Sequence, residues 1–471
     1  VNKDLDRRTF LSAGAGLLAS NAALAFPVCT QAKNQICNIT DLYSVNASGI
    51  VIAKDIDDVR RMLKNTNRQI SIGGGRYSMG GQTAITGGIQ LDMRGFKQLI
   101  WLNAKKKTVR VQAGMRWRDL QTILDPEGLA VRTMQSYSNF TIGGAVSVNC
   151  HGRYVGHGGI VHSIRSLQLI LADGQVLEVN QQQNSELFYT AIGGYGSIGI
   201  ITEIELNLDD NFKIERSSQR VSLMDYPDWF SEYIRTNSDV LLHNADLTPP
   251  TFDAPHCITW TRTQKPTTIG HRLMPQDQIY RKEQIALWAM TELPSGERLR
   301  SSIQKLQDKP LVVWRNYEAS LDVRELEPMT RKIATYVLQE YFVPASQFKN
   351  YAQALSRLLR SLNTHTVNIS IRHSKVDANT LLSWAREDVF CFVVYYKQRM
   401  QTATEVDVGR WTRAMIDLAL KHGGTYYLPY QPHATQAQFE QAYPQAKELR
   451  RLRKELGANR LSNMMWQQYD V

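Results

Sequence analysis

The chain has 471 residues, 43% hydrophobic and 21% charged, with a formal net charge of +11. That is too long for one ordinary core, and the composition is globular, so bulk disorder is excluded and two or three domains are expected. The positive charge raises nucleic acid as a partner, but no Lys/Arg block interleaved with aromatics forms a binding stripe, and a nucleic-acid function is set aside.

The first residues read as an export signal. Arg7 and Arg8 precede an apolar stretch through Leu17, Leu18 and Leu24, and Ala23-Leu24-Ala25 offers the small residues a signal peptidase reads. The paired arginines point to twin-arginine export and a periplasmic or otherwise exported location. That route carries folded proteins. Residues 1–25 are therefore kept out of the fold. Cys29 and Cys37 lie just beyond and can pair in an oxidising compartment; whether they do is left open. Cys150, Cys257 and Cys391 are scattered and read as small buried residues, and no Cys/His spacing matches a metal site.

From residue 46 to about 210, strands alternate with helices. Gly49 to Ile52 and Gln69 to Ile72 read as strands, and the helix between them puts Val59, Met62 and Leu63 on one face. Strands follow at Ile89 to Met93 and Thr108 to Ala113, then Trp117 and Leu120 at helical spacing. Leu167 to Leu171 and Val176 to Val179 flank Asp173-Gly174 as a hairpin, and Ile200 to Leu208 is a further strand. Residues 211–430 read as a second α+β domain, with a helix over Gln278 to Leu293 and strands at Leu311 to Trp314 and Phe390 to Tyr396. In the last segment, 431–471, Gln436 to Leu456 reads as one helix, made basic by Arg450, Arg451, Arg453 and Lys454. A solvated face is the first reading of it, and peripheral membrane contact the second.

Three glycine-rich loops carry the chemistry. The first, Ser71 to Gln82, holds five glycines after a strand, which suits close approach of backbone N–H groups to a pyrophosphate. The second runs from Thr141 through Gly143, Gly144 and Ser147 to His151 and Gly152. The third contains Gly194, Gly196 and Gly199 at dinucleotide-fingerprint spacing, but a helical pattern precedes it and a strand follows. That order is the reverse of the Rossmann arrangement, so the nicotinamide reading is rejected.

These loops in this order, with Gly114 to Leu120 between the first two, resemble the FAD-binding domain of the vanillyl-alcohol oxidase superfamily over roughly residues 46 to 210. The resemblance implies a two-domain α+β flavoenzyme: an FAD-binding domain, a substrate or cap domain, and a C-terminal segment returning to the active site. It implies that the first loop holds the FAD pyrophosphate, the second lies by the isoalloxazine ring, and the third contacts the adenine half. The cofactor contacts this points to are Gly73, Gly74, Gly75, Arg76, Tyr77, Ser78 and Gln82, then Gly114 and Trp117, then Thr141, Gly143, Gly144, Ser147, His151 and Gly152, and finally Gly196, Gly199, Ile201 and Asn463. Within the superfamily the chain is most similar to the sugar-oxidising branch of aldonolactone oxidases, alditol oxidases and decaprenylphosphoryl-ribose oxidase. His151-Gly152-Arg153, Ser185 to Phe188, Pro432-His433 and Asn463 to Tyr469 carry that likeness.

The departures from that branch are specific. Tyr77 stands where many relatives carry the histidine that bonds covalently to flavin, which implies non-covalent FAD. Ser370-Ile371-Arg372 stands where lactone and alditol oxidases have Glu-x-Arg, so the carboxylate is missing, and Tyr430 stands where relatives place a lysine. Oxidation of a CH–OH group by hydride transfer to flavin is expected, on a sugar, polyol, lactone or sugar-phosphate-like substrate. Tyr430 or His151 handles the hydroxyl proton and Arg372 orients substrate oxygens; as a base, Tyr430 needs a lowered pKa. Oxygen, a quinone or a small redox protein takes the electrons. The alternative is a binding or assembly protein that retains FAD with reduced or no catalysis.

Overall fold

The computed structural model describes residues 32–471 apart from positions 295 and 363. The leader read at 1–25 and Cys29 lie outside the described residues; Cys37 is disulfide-bonded.

Three short parallel strands, β1 (Gly49–Ile52), β2 (Ile70–Gly73) and β3 (Ile89–Asp92), pair in the order β1-β3-β2. Helix α1 (Ile56–Asn65) crosses from β1 to β2; Asp55 caps it by accepting from Asp58 N, and Val59, Met62 and Leu63 are buried. A larger antiparallel sheet follows: β4 (Leu99–Asn103), β5 (Thr108–Gln112), β6 (Ile164–Ile170), β7 (Val176–Asn180) and β8 (Ile200–Asp210), in the order β7-β6-β8-β5-β4. Along β8, Ile204, Leu206 and Leu208 point inward, and Glu203 points outward to meet Arg110 at 2.6 Å.

Lys213 opens a second, eight-stranded antiparallel sheet. Its strands are β9 (Lys213–Arg220), β10 (Val240–Leu247), β11 (His256–Arg262), β12 (Leu311–Trp314), β13 (Ala334–Pro344), β14 (Thr366–Ser374), β15 (Val389–Arg399) and β16 (Thr425–Tyr426). They lie in the order β12-β9-β11-β10-β14-β15-β13-β16. Helices Phe348–Ser361 and Thr402–Lys421 pack near β13, while side chains on the opposite face look toward the glycine loops. Enclosure on both sides explains why β15 is buried along nearly its whole length.

The last segment departs from the single helix read over 436–456. It forms α2 (Gln436–Ala442) and α3 (Ala446–Glu455), interrupted at Tyr443-Pro444, because proline removes a donor and clashes with the preceding turn. Nor is its basic face simply solvated. Arg453 is 4% exposed and donates to Ser197 O and Leu461 O, each at 2.7 Å, while Arg450 and Arg451 engage neighbouring carbonyls and carboxylates. The chain then runs beside the first domain, with Ser462 N bonded to Ile70 O and Met464 N to Gly81 O. No helix among the described residues is long and apolar enough to cross a membrane.

Arg315, 1% exposed, joins the two sheets. Its guanidinium donates to Val131 O, Arg132 O, Asp210 O and the Asp209 carboxylate, all within 3.3 Å. Replacing it leaves buried acceptors unmet, and lysine cannot reproduce the planar fork. Urea unfolding of Arg315→Ala is expected to show a loss of about 3 kcal/mol, with Arg315→Lys recovering less than half.

Candidate functional site

The second and third loops and the 113–115 segment are stitched together by backbone hydrogen bonds, and the first loop joins them through Gly75 N, which donates to Thr141 Oγ1. Gly143 N donates to Ala113 O, Ile142 N to Met115 O, Gly193 N to Val146 O and Tyr195 N to Ser147 O. Gly114 is required by the close approach: a Cβ there would enter the carbonyls of Met93 and Phe96. The first loop is fixed to the chain's later part by Met79 N to Pro429 O at 2.7 Å and by Gln82 Nε2, which donates to Leu428 O and Tyr430 O at 2.7 and 2.6 Å.

Two adjoining cavities lie between these loops and the second sheet. The narrower, about 70 Å³, is lined by Gly73, Gly74, Ser78, Gln82, Thr141, Gly143, Gly144, Ser147, Gly196, Gly199 and Ile201. The wider, about 200 Å³, shares Gly74, Ser78, Thr141 and Gly144 with it and adds Gly75, Arg76, Tyr77, His151, Arg372 and Tyr430. Of the remaining candidates, Gly114, Trp117, Gly152 and Asn463 line neither cavity. Trp117 is wholly buried and donates to Gln135 Oε1; Asn463 accepts from Trp466 N and donates to Tyr195 O, supporting the third loop from behind. Gly152 lies tight against Met134 O.

The shape and chemistry of this space fit FAD. The two cavities run on into one another along all three loops. A Cβ on Gly74 would collide with Thr141 Oγ1, so the loop's backbone stays bare. Buried polar atoms lining the wider cavity lack partners, among them Arg76 Nε, Ser136 Oγ, His151 Nδ1 and Arg372 Nε, and unmet buried donors of this kind are what a polar ligand satisfies. Tyr77 packs edge-on to Phe140 at 4.8 Å, and burial pushes its hydroxyl up to about 12.

At the end of the wider cavity sits a residue that the sequence reading missed. Glu340 on β13 is 2% exposed; its Oε1 lies 2.6 Å from His151 Nε2, and its Oε2 accepts from the Tyr430 hydroxyl at 3.3 Å. Across the sheet Glu340 pairs with Val393, which pairs with Ser370. A buried carboxylate thus stands two strands away in the same row as position 370. The signal was an acidic residue inside Tyr336 to Phe342, an apolar run not assigned as a strand; such a charge is rarely buried without a partner. Trp384, Phe342 and Tyr427 ring the His151 imidazole at centroid distances of 5.0, 5.6 and 5.9 Å.

The expectation that Tyr430 can act as base is corrected by its surroundings. Burial first, and then the Glu340 charge, push its hydroxyl well above the ordinary value of 10, although Arg372 opposes this. Tyr430 is a phenol that donates to Glu340. Cys391 also reaches this cluster: its thiol and the donor atoms of His151 and Glu340 lie within 4.8 Å of one another, a nitrogen–oxygen–sulfur set that sequence spacing does not disclose.

Residues 47–180 match the family described as FAD binding domain. L-gulonolactone oxidase of Mus musculus is 23% identical over 404 residues, covering 83% of this chain and 87% of that protein. Cytokinin dehydrogenase 2 of Arabidopsis thaliana is 28% identical over 188 residues, 39% of this chain and 37% of that protein. The putative D-arabinono-1,4-lactone oxidase of Neurospora crassa is 31% identical over 150 residues, 32% and 27% respectively.

Two outcomes follow for this site. Gly74→Ala is expected to weaken FAD retention by at least about tenfold, ~1.4 kcal/mol, read as a fall in visible absorbance per protein after dialysis. The second concerns Glu325, whose carboxyl accepts from Tyr137, a cavity-wall residue, at 3.0 Å. Burial raises it from 4.5 to about 7. The folded state then holds the proton more tightly than the unfolded chain, so this stabilisation is complete below pH 4.5 and lost as pH rises through about 7. Glu325→Gln should flatten the pH dependence of the thermal midpoint across that window.

Proposed function

Taking this chain as an FAD-dependent oxidoreductase of the vanillyl-alcohol oxidase type, we propose that it oxidises a CH–OH group on a sugar-like head and holds its FAD without a covalent bond. The observation that carries the reading is the buried His151–Glu340–Tyr430 cluster, with Arg372 beside it, at one end of a cavity continuous with the glycine loops. When bound, FAD supplies the hydride acceptor.

His151 and Glu340 share the work of taking the hydroxyl proton. With Glu340 Oε1 facing Nε2 at 2.6 Å, the ring can take the hydroxyl proton at Nδ1, which has no partner, and the carboxylate offsets the positive charge that forms on the imidazole. Arg372 presents an unmet, buried Nε–H to a substrate oxygen or to developing negative charge. Tyr430 donates to Glu340 and fixes the carboxylate's orientation. Glu340 supports the catalytic reading over one in which the chain keeps FAD only as structure. Non-covalent binding is supported by Tyr77 in the first loop, since a phenol does not make the imidazole linkage. Oxygen, a quinone or a small redox protein receives the electrons, and export as a folded, loaded protein through the twin-arginine route belongs to the same proposal.

Acid denaturation should release FAD into the soluble fraction; colour remaining on the precipitate would overturn the non-covalent reading. In FAD-loaded protein, Glu340→Gln should slow anaerobic flavin bleaching by roughly 10²–10⁴-fold, and Tyr430→Phe by only about tenfold. Full turnover in Glu340→Gln would remove the carboxylate from the proposal.

A further inference from the structure

With the arginines of α3 engaged by carbonyls and carboxylates, free cations gather at a different place, the open edge of the first domain's larger sheet. β4 ends that sheet: β5 pairs with one side of it, and no strand among the described residues pairs with the other. Three successive apolar side chains stand in solvent there, Leu99, Ile100 and Trp101, at 37, 41 and 37% exposure. In a regular strand neighbours point to opposite faces, and the core covers part of such a trio. Here the register slips. Leu99 pairs with Val111 and Trp101 with Arg110, so Ile100 is an extra residue opposite nothing. The bulge bends the edge away from the sheet, and all three side chains stay exposed.

The charges around them have one sign. Lys97 precedes the trio, and Lys105 and Lys106 follow it in the turn to β5; all three are exposed and have no ion-pair partner among the described residues. The carboxylates that border them are already engaged: Asp119 with Arg116 at 2.7 Å, Glu205 with Arg165 at 2.8 Å and Asp210 with Lys107 at 2.8 Å. Trp101, Lys106 and Arg165 line one surface hollow, so indole and cations meet in the same place.

What covers such an edge follows from these features. A partner strand needs a continuous ladder, which the bulge interrupts. A second copy laid antiparallel, with the two Trp101 residues opposed, sets Lys97 against the other copy's Lys105 and brings like charges together. A lipid surface needs no register. It takes aliphatic and indole side chains at headgroup depth, and when anionic it attracts unpaired lysines.

We propose that the β4 edge docks the protein on an anionic membrane surface, with Leu99, Ile100 and Trp101 entering the headgroup layer and Lys97, Lys105 and Lys106 meeting lipid phosphates. Docking here is separate from the chemistry at Glu340 and does not depend on it.

The test uses the full chain loaded with FAD and two kinds of vesicle, phosphatidylcholine alone and phosphatidylcholine mixed with phosphatidylglycerol, with binding read by co-sedimentation. Affinity for the mixed vesicles is expected to be at least about tenfold higher and to fall steeply with salt. Two variants, checked for normal FAD content, address the edge: Ile100→Ser with Trp101→Ser, and Lys97→Gln with Lys105→Gln and Lys106→Gln. Each should weaken binding to the mixed vesicles by at least about fivefold. Removing the same charge at Lys421, Lys447 and Lys454, exposed lysines away from β4, should change it by less than about twofold. No preference for the anionic vesicles, full binding by either edge variant, or an equal loss in the control variant overturns the membrane surface. Self-association that Ile100→Ser with Trp101→Ser abolishes, without vesicle binding, also overturns it and assigns the edge to a second copy of the chain.

Discussion

The site depends on a buried carboxylate. Glu340 sits in an otherwise apolar strand, and an isolated charge there would cost far more than one residue contributes to folding. It is tolerated because His151 approaches one oxygen and Tyr430 donates to the other. That requirement links distant parts of the chain. His151 comes from the second glycine loop, Glu340 from the second sheet, and Tyr430 from the turn that Gln82 holds against the first loop. Satisfying one charge therefore docks the second sheet over the loops, and the same contact closes the end of the cavity where chemistry is placed.

The glycine loops set the complementary constraint. Their backbones approach one another so closely that side chains would interfere at Gly74 and Gly114, and the resulting channel is bounded by main chain rather than by charged side chains. Such a channel suits a long cofactor recognised mainly through backbone donors. It also leaves the selective chemistry to the second sheet, whose inward face varies by strand and row. The division of labour explains why residues 47–180 match a family of FAD binding domains while the rest of the chain is described by low identity to whole oxidases.

What was legible in the sequence follows the same line. Local signals located several of the first domain's elements to within about three residues, by alternation in 200–208, helical spacing in 56–63 and the Asp173-Gly174 hairpin, but left the strand Leu99–Asn103 and the short helix Ile142–Ser147 unread. The loops were legible because a run of glycines after a strand strips the backbone of side chains, and a bare backbone is what close approach to a ligand demands. Pro444 was present to be read as a break, but the charged pattern around it looked continuous. Trp117 and Asn463 were assigned to the cofactor by motif, whereas the chain uses one as core and the other as a brace behind the third loop. Glu340 was out of reach for a different reason. Its role arises from a partner 189 positions earlier in sequence and from a register across two strand pairs, and neither leaves a local pattern.

The position of that carboxylate has a geometric consequence. In register, Glu340, Val393 and Ser370 form one row across β13, β15 and β14, while Arg372 belongs to the next row, opposite Cys391. Strands are spaced about 4.8 Å apart, so a carboxylate on β13 stands about 10 Å from the backbone position it would occupy on β14. Acid and guanidinium then face the cavity from separate strands with Val393 between them, instead of projecting side by side from one. A substrate head bridging them lies across the strands, and the space freed over Ser370 and Val393 is bounded by one small polar and one apolar side chain. A carboxylate on β13 rather than β14 thus changes how a substrate head would be oriented as well as which residue would take its proton.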